Sequence, residues 1–269
     1  MQVFDCFMYY NEDTILDLRL NYLNKYVDYF IIVESTFNHR GQKKDLNFNI
    51  DKFRKFEDKI KYFILDSHPP DVEEIDPNDS DNEKSRKYIL NGYRRDHYQR
   101  NYLSKGISYA NEDDIILISD IDEIPKLENI NLKMLKNNLL LFNQKMCYYK
   151  FNLYQENYNW VGSRACRKKK LINPQWLRDV KPKKYPIWRL DNFFSKNKYH
   201  NIKFIENGGW HFSNIKTAAE IEHKLKSYLH HREFDENPMS KDEINKIIEN
   251  KQAIYDLKVD KRVNKIGEG

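Results

Sequence analysis

In the stretch ILISDIDEIP, residues 116–125, an apolar run that predicts a buried strand ends abruptly in acidic residues. The run 115–118 is short and rich in β-branched residues, as in a strand buried on both faces. Three carboxylates follow it within four positions: Asp120, Asp122 and Glu123. Side chains two apart in an extended chain point the same way, so Asp120 and Asp122 can converge on one divalent cation. The alternative is a solvated turn in which Pro125 opens the next helix.

Strands and helices alternate on the amino-terminal side of this stretch. Apolar runs predict strands at 2–9, 30–33 and 61–67, and helical patterns predict helices at 15–23, capped by Asn11, and at 86–105. Polar residues predict loops at 35–50 and 68–85. This alternation is typical of a mostly parallel α/β sheet. Ligands bind such sheets beyond the carboxyl ends of the strands, where Glu34 and Asp120 both lie.

The remainder of the chain is less regular and becomes helical towards its end. Residues 139–154 predict one or two strands. Two capping boxes mark the starts of later helices: Thr217 with Glu220, and Ser240 with Glu243. We therefore expect one domain over residues 1–235 and a helical extension over residues 236–269 that packs on it.

The composition restricts the class of protein. The chain has 269 residues, 40% of them hydrophobic and 14% aromatic, which argues against disorder. A net charge of +5 fits an anionic ligand such as a nucleotide. Three cysteines without metal-site spacing favour free thiols. The sequence shows no signal peptide and no apolar run of about 18 residues, so we expect a cytoplasmic protein without a transmembrane segment.

A second candidate site residue lies in ENGGWHFSNI, residues 206–215. His211 stands between two aromatic residues and follows Gly208 and Gly209, which allow close approach of the backbone. An imidazole combined with carboxylates favours Mn²⁺ over Mg²⁺. A histidine packed structurally among aromatic rings is the other interpretation.

Five stretches together resemble glycosyltransferase family 17, the family of β-1,4-mannosyl-glycoprotein N-acetylglucosaminyltransferases. They are FDCFMYYNEDTILDLRLNYL, VDYFIIVEST, RRDHYQRNYL, ILISDIDEIP and GGWHFS, in the family's order across roughly residues 3–235. The resemblance implies a GT-A-type, Rossmann-like mixed sheet flanked by helices. It also implies a UDP-GlcNAc donor, a glycan acceptor, an inverting mechanism and a Mn²⁺ (or Mg²⁺) cofactor.

The resemblance implies a metal site as well. Asp122 would be a direct metal ligand, and Asp120 would contact the ribose or the metal. His211 looks like the late metal-binding histidine of GT-A enzymes.

The same resemblance implies contacts to the nucleotide sugar. Glu34 would lie near the nucleoside. Arg95 and Arg100 resemble the Arg-x-x-x-x-Arg pair of the family's helix. Trp210 is one of the aromatic residues that could provide a platform for a sugar, and Trp160 and Trp188 are the others.

An inverting transferase needs a base that takes the proton of the acceptor hydroxyl. Glu206, five residues before His211, is the first candidate. Asp191 and Glu123 are the alternatives. Each could equally be an ordinary surface or structural carboxylate.

Two other classes of function compete with the transferase. A nucleotidyltransferase also uses paired carboxylates, but a glycine-rich phosphate loop would favour it, and residues 1–40 contain no glycine. A nucleic-acid-binding module would fit the basic charge, but would not explain the acidic strand end, so we expect no nucleic-acid partner. The animal members of the family are longer and membrane-anchored, so we expect a microbial or viral enzyme.

Overall fold

The amino-terminal half of the sheet is parallel, as the alternating sequence predicts. The computed structural model describes residues 1–132, 139–186, 188, 195, 197–199, 201–227, 231–254 and 266–268. Its first strands are β1 (Val3–Met8), β2 (Tyr29–Ser35), β3 (Ile60–Leu65) and β4 (Ile115–Ile118). β1 pairs in parallel with both β2 and β4, and β2 pairs with β3. The intervening helices are α1 (Asp13–Leu23), α2 (Asp81–Tyr102) and α3 (Ser104–Ile107).

The second half turns the sheet into a mixed one. Its strands are β5 (Glu123–Pro125), β6 (Leu139–Tyr148), β7 (Leu153–Arg167), β8 (Ile202–Ile205), β9 (Gly209–Ser213) and β10 (Ile266–Glu268). β7 runs antiparallel to both β4 and β6, whereas β9 runs parallel to β6 and antiparallel to β5. The strand order is β3-β2-β1-β4-β7-β6-β9-β5. The predicted mixed α/β sheet flanked by helices is confirmed, but the sheet is mostly parallel only as far as β4.

Alternating side chains of β1 divide the core between the two faces of the sheet. Val3 and Phe7 join a cluster that contains Leu16 of α1. Phe4 and Cys6 point the other way, into a cluster that contains Leu103 and Ile107. Such two-sided burial explains why β1 is apolar on both faces apart from Asp5. All three cysteines are buried free thiols.

The carboxyl-terminal helices pack on the β6–β7 hairpin. They are α4 (Pro174–Asp179), α5 (Ala218–Ser227), α6 (His231–Glu236) and α7 (Lys241–Glu249). Ile221 of α5 and Ile244 of α7 are fully buried with Met146 and Tyr148 of β6. The apolar contacts therefore cross position 235, at which the sequence suggested a boundary. Among the helices of the described residues, none is both long and apolar enough to span a bilayer.

Two local predictions are wrong, and so is the alternative in which Pro125 opens a helix. Asn11 does not cap α1, which begins after Glu12 without a side-chain capping bond. α2 begins at Asp81, inside the predicted loop, because the Ser80 Oγ accepts a hydrogen bond from the backbone N–H of Glu83. Pro125 does not open a helix but ends β5.

Both predicted capping boxes are present, and the one before α7 can be tested. The Ser240 Oγ accepts from the Glu243 N–H at 3.3 Å, and the Ser240 N–H donates to Glu243 Oε2 at 2.7 Å. We expect Ser240→Ala to lower the free energy of unfolding by about 1 kcal/mol, measured by urea denaturation. Ser104→Ala, at an exposed serine of α3, should change it by no more than about 0.5 kcal/mol. Equal losses in the two variants would contradict the capping role.

Candidate active site

One buried arginine binds the backbone of the turn that follows β4. Arg19 of α1 is inaccessible to solvent. Its Nη1 donates to the backbone carbonyls of Asp120, Ile121 and Glu123 at 3.2, 3.1 and 2.7 Å. Its Nε and Nη2 donate to the two carboxylate oxygens of Asp5 at 2.7 and 2.6 Å. The acidic turn is thus fixed to α1 and β1 through its backbone. The carboxylates of Asp120, Asp122 and Glu123 are not used in these bonds to Arg19.

The carboxylate of Glu123 is a structural anchor. It is fully buried and accepts two bonds from Arg178, at 2.6 and 2.9 Å. It also accepts from the Trp160 Nε1 at 2.6 Å and from the Asp120 N–H at 2.9 Å. A carboxylate with these partners and no solvent contact is not free to act as the base.

Asp120 lies between two guanidinium groups. Its Oδ1 accepts from Arg100 Nη2 at 3.2 Å and its Oδ2 from Arg178 Nη2 at 3.0 Å. Desolvation opposes ionisation of Asp120, but these two arginines hold its pKa well below the ordinary value. Its carboxylate is therefore already neutralised by the chain.

Asp122 and His211 form the second pair of the site. β5 and β9 are antiparallel neighbours, and the Phe212 N–H donates to the Asp122 carbonyl at 2.8 Å. This pairing places His211 Nε2 3.5 Å from Asp122 Oδ2. Burial disfavours charge on both side chains, yet their mutual attraction raises the pKa of His211 and lowers that of Asp122. The Nδ1 of His211 is buried without a hydrogen-bond partner.

Asp122 and His211 fit a metal ion better than the predicted set of three ligands, which also includes Asp120. Within the described residues, no three His, Cys, Asp or Glu side chains are arranged to hold a metal ion. Asp122 and His211 offer one oxygen and one nitrogen, a set compatible with Mn²⁺ when other ligands complete the shell. Asp120 fits poorly because both of its oxygens face arginines. As side chains available to a metal, the structure brings together Asp122 and His211 but not Asp120.

The structure does not bring Glu206, the first candidate for the base, to this pair. Glu206 is exposed, and its Oε2 accepts from Asn143 Nδ2 at 2.9 Å. In the β5–β9 ladder His211 pairs with Glu123, whereas Gly209 pairs with Pro125. Glu206 precedes Gly209, so it lies beyond the amino-terminal end of β9, whereas His211 stands at the centre of that strand. Asp191 lies outside the described residues.

Glu34 and Trp210 are engaged by the protein itself. Glu34 is fully buried and accepts four hydrogen bonds, from Lys44 Nζ, the Asn47 and Phe48 N–H groups and the Tyr62 hydroxyl. It therefore anchors the segment 44–48 rather than presenting a free carboxylate. Trp210 alternates with His211 along β9, and its ring packs edge-on against Tyr22 at 5.4 Å.

The arginine pair of α2 separates into two environments. Arg100 reaches Asp120 and also donates to Asp96 at 2.6 Å. Arg95 donates instead to the carbonyl of His39 at 3.0 Å and makes no described contact with the acidic turn. The five-residue spacing places the two guanidinium groups on different sides of the helix.

Sequence reasoning missed Arg19 and Arg178, which organise the acidic turn. One signal for Arg19 was present, because Asp5 interrupts an apolar strand and a buried carboxylate needs a cationic partner. No comparable signal marks Arg178, which lies 55 positions from Glu123. Only the fold brings α4 to the turn.

Comparisons with known proteins show the family of the chain. Residues 1–178 match the family model described as glycosyltransferase family 17. The β-1,4-mannosyl-glycoprotein 4-β-N-acetylglucosaminyltransferases of Homo sapiens and Rattus norvegicus are each 28% identical over 128 residues, and that of Mus musculus is 27% identical. Each alignment covers 45% of this chain and 21% of the relative, so the chain matches about a fifth of the length of these enzymes.

One solved structure also aligns over much of the chain. The inositol-1-phosphate CTP transferase from T. maritima covers 84% of this chain and 96% of its own, with 12% identity and a TM-score of 0.34. A likeness at this level supports no argument.

The mixed sheet with its acidic turn, taken with the match over residues 1–178, defines the class of protein as a glycosyltransferase. The chain belongs to glycosyltransferase family 17.

Proposed function

We propose that the protein transfers N-acetylglucosamine from UDP-GlcNAc to a hydroxyl group of a glycan, with inversion at the anomeric carbon. The observation that carries the proposal is the Asp122–His211 pair at the end of β4, in a chain of this family. The names of the aligned relatives support the choice of sugar. A parallel half-sheet that ends in an acidic turn supports a GT-A-type fold.

Asp122 and His211 are the side chains that would hold Mn²⁺ (or Mg²⁺). The ion would supply positive charge that stabilises the departing diphosphate. The Nε2 of His211 and the Oδ2 of Asp122, which lie 3.5 Å apart, offer the nitrogen and oxygen ligands that such an ion takes.

The surrounding residues position these two side chains before any ligand binds. Arg19 fixes the backbone of the turn, and Arg178 fixes Glu123 beside it. Trp160 lies against the His211 ring, with 5.2 Å between centroids, and restricts its orientation. Such preorganisation reduces the reorganisation needed during reaction. Asp120 keeps 36% of its side chain exposed, which supports a contact with the ribose.

The reaction itself requires one bond exchange. The acceptor oxygen forms a bond to the anomeric carbon while the bond from that carbon to the diphosphate breaks, so UDP leaves from the opposite face. A base takes the hydroxyl proton. Glu123 fits this role poorly because it is buried in an ion pair with Arg178. Glu206 also fits poorly because it lies beyond the amino-terminal end of β9 and bonds to Asn143.

Calorimetry tests the proposal directly. We expect UDP-GlcNAc to bind more tightly with Mn²⁺ than without it, and more tightly than UDP-galactose, UDP-glucose or GDP-mannose. Asp122→Asn should weaken Mn²⁺-dependent binding at least about 100-fold, because even partners behind metal ligands typically contribute 10- to 100-fold. Asp113→Asn makes the same chemical change at an exposed aspartate far from the turn and should leave binding intact.

Two results would contradict the proposal. UDP-sugar binding that responds neither to Mn²⁺ nor to Asp122→Asn would remove the role of the pair. Binding of nucleoside triphosphates without binding of UDP-sugars would favour a nucleotidyltransferase.

If UDP-GlcNAc binds as expected, release of UDP on addition of a glycan acceptor would identify the transfer step.

A further inference from the structure

A guanidinium group without an acidic partner lies at the carboxyl ends of β2 and β3. The Nε of Arg95 is buried without a hydrogen-bond partner, and its Nη1 donates only to the His39 carbonyl among the bonds described. Burial lowers the pKa of Arg95, and no carboxylate in the described part of the chain offsets this effect. Its neighbour Arg94 differs, because it pairs with Asp71 at 3.3 Å and with Glu73 at 2.8 Å. Arg95 is half-buried, so its charge is solvated less well than in water and no carboxylate of the described residues offsets it. A bound anion would supply the missing counter-charge.

A small cavity adjoins this guanidinium group. Its lining includes Ser35, Phe37, His39, His68, Arg95 and Tyr98. The cavity volume is about 10 Å³, which is room for one water molecule. The Nδ1 of His39 is also buried without a partner, so two unpartnered nitrogen atoms belong to the same wall. Ser67 and His68 of the lining are exposed, and the His68 ring packs on Phe37 with 3.9 Å between centroids. A ligand larger than water would have to move these side chains.

The loop over the cavity is shaped around Arg95. Gly41 has a φ of +88°, and a Cβ placed there would lie 2.4 Å from Arg95 Nη2. Glycine therefore permits both the left-handed backbone and the close approach to the guanidinium group. The loop is closed by backbone bonds between Asn38 and Gln42 and between Gly41 and Asn38, each 2.9 Å. The guanidinium group is thereby held in place without a ligand.

We propose that this pocket binds a phosphoryl-type oxyanion, with Arg95 as its cation. The planar guanidinium fork matches the geometry of phosphate oxygens, and charge-assisted bonds of this kind are the strong ones. Asp122 and His211 do not line the pocket, but Asp120 interacts electrostatically with His39, so the pocket adjoins the acidic turn. The inference assigns a phosphoryl site that the proposed transfer reaction does not specify. The oxyanion could come from the phosphates of the donor nucleotide or from a separate phosphorylated molecule, and the two sources share this chemistry.

Inorganic phosphate is the probe for the test. We expect phosphate in the millimolar range to raise the melting temperature of the wild-type protein above that in sodium chloride of matched ionic strength. Arg95→Gln should weaken phosphate binding at least about tenfold, since it removes the charged donor of the site. Arg94→Gln removes a neighbouring arginine of the same helix that already has acidic partners, and it should retain the effect.

Gly41→Ala is a second variant that keeps Arg95. Its added methyl group must displace the guanidinium group, so it should also weaken phosphate binding even if Arg95→Gln does not fold. No stabilisation of the wild-type protein by phosphate would overturn the proposal, and so would equal stabilisation of the wild type and of both pocket variants.

Two further arms separate the sources and the hypotheses. If UDP competes with phosphate in the wild-type protein, the pocket receives a phosphate of the donor; if the two effects add, it receives a separate ligand. Asp122→Asn should retain phosphate binding. Failure of metal-dependent UDP-GlcNAc binding would therefore leave this inference standing, and failure of phosphate binding would leave the proposed transfer reaction standing.

Discussion

Arg19→Met is expected to destabilise the protein by about 3–5 kcal/mol, the cost of breaking a buried ion pair by removing one partner. Arg19 and Asp5 have no exposed side-chain surface, and the substitution leaves the Asp5 carboxylate buried without its cation. It also removes the donor to three backbone carbonyls of the acidic turn. Urea denaturation followed by circular dichroism measures the loss.

The matched control is Arg54→Met. Arg54 also pairs with an aspartate, Asp51, but the two side chains are 73% and 64% exposed. Exposed ion pairs contribute about 0–1 kcal/mol, so this variant should be nearly as stable as the wild type. Asp5→Asn combined with Arg19→Met should cost less than the sum of the single changes, because neither charge is then left alone. Similar losses for Arg19→Met and Arg54→Met would show that the buried pair has no special role.

Arg178→Met is expected to cost about 3 kcal/mol or more at neutral pH, for the same reason. The substitution leaves the fully buried Glu123 without its cation and removes one of the two arginines beside Asp120. We expect the variant also to weaken UDP-GlcNAc binding, because the turn that carries Asp122 loses its anchor. Urea denaturation and calorimetry measure the two effects.

The cost of Arg178→Met should depend on pH in a defined direction. The pKa of Asp120 is depressed in the folded protein, so its contribution to stability is present above the unfolded value near 4 and is lost as the pH falls through the folded value. Arg178 is one cause of that depression. The difference in unfolding free energy between wild type and variant should therefore be largest near pH 7 and shrink below about pH 4.

Arg86→Met provides the comparison for this prediction. Arg86 pairs with Glu73 and Glu83, but its side chain is 44% exposed. Solvent screens such pairs, so we expect a change of no more than about 1 kcal/mol. An Arg178→Met cost that stays constant from pH 7 to pH 3 would contradict the assigned role of Asp120 in this ion network.

The two destabilising predictions concern residues that hold the acidic turn rather than residues that touch a ligand. Arg19 binds its backbone and Arg178 binds its side chains. Arg178 places positive charge beside Asp120 and Glu123, which would otherwise repel one another. The Asp122–His211 pair is therefore presented by a turn whose shape does not depend on a bound ion.

Local sequence patterns were sufficient to predict the parallel half-sheet, the acidic turn after β4 and the capped helices of the last third. These features are local: a β-branched apolar run predicts a strand, and a serine three residues before a glutamate predicts a helix start. Order-dependent motifs were also sufficient to indicate glycosyltransferase family 17, which the match over residues 1–178 confirms.

The side chains that meet at the turn depend instead on how the strands and helices are arranged in three dimensions. The β5–β9 register places His211, at the centre of β9, beside Asp122. Glu206 lies beyond the amino-terminal end of β9. Arg178 binds Glu123 although the two residues lie 55 positions apart in the sequence. Arg95 binds the His39 carbonyl, whereas Arg100 of the same helix binds Asp120. Such contacts depend on strand register, helix rotation and the reach of long side chains, and no local pattern in the sequence encodes them.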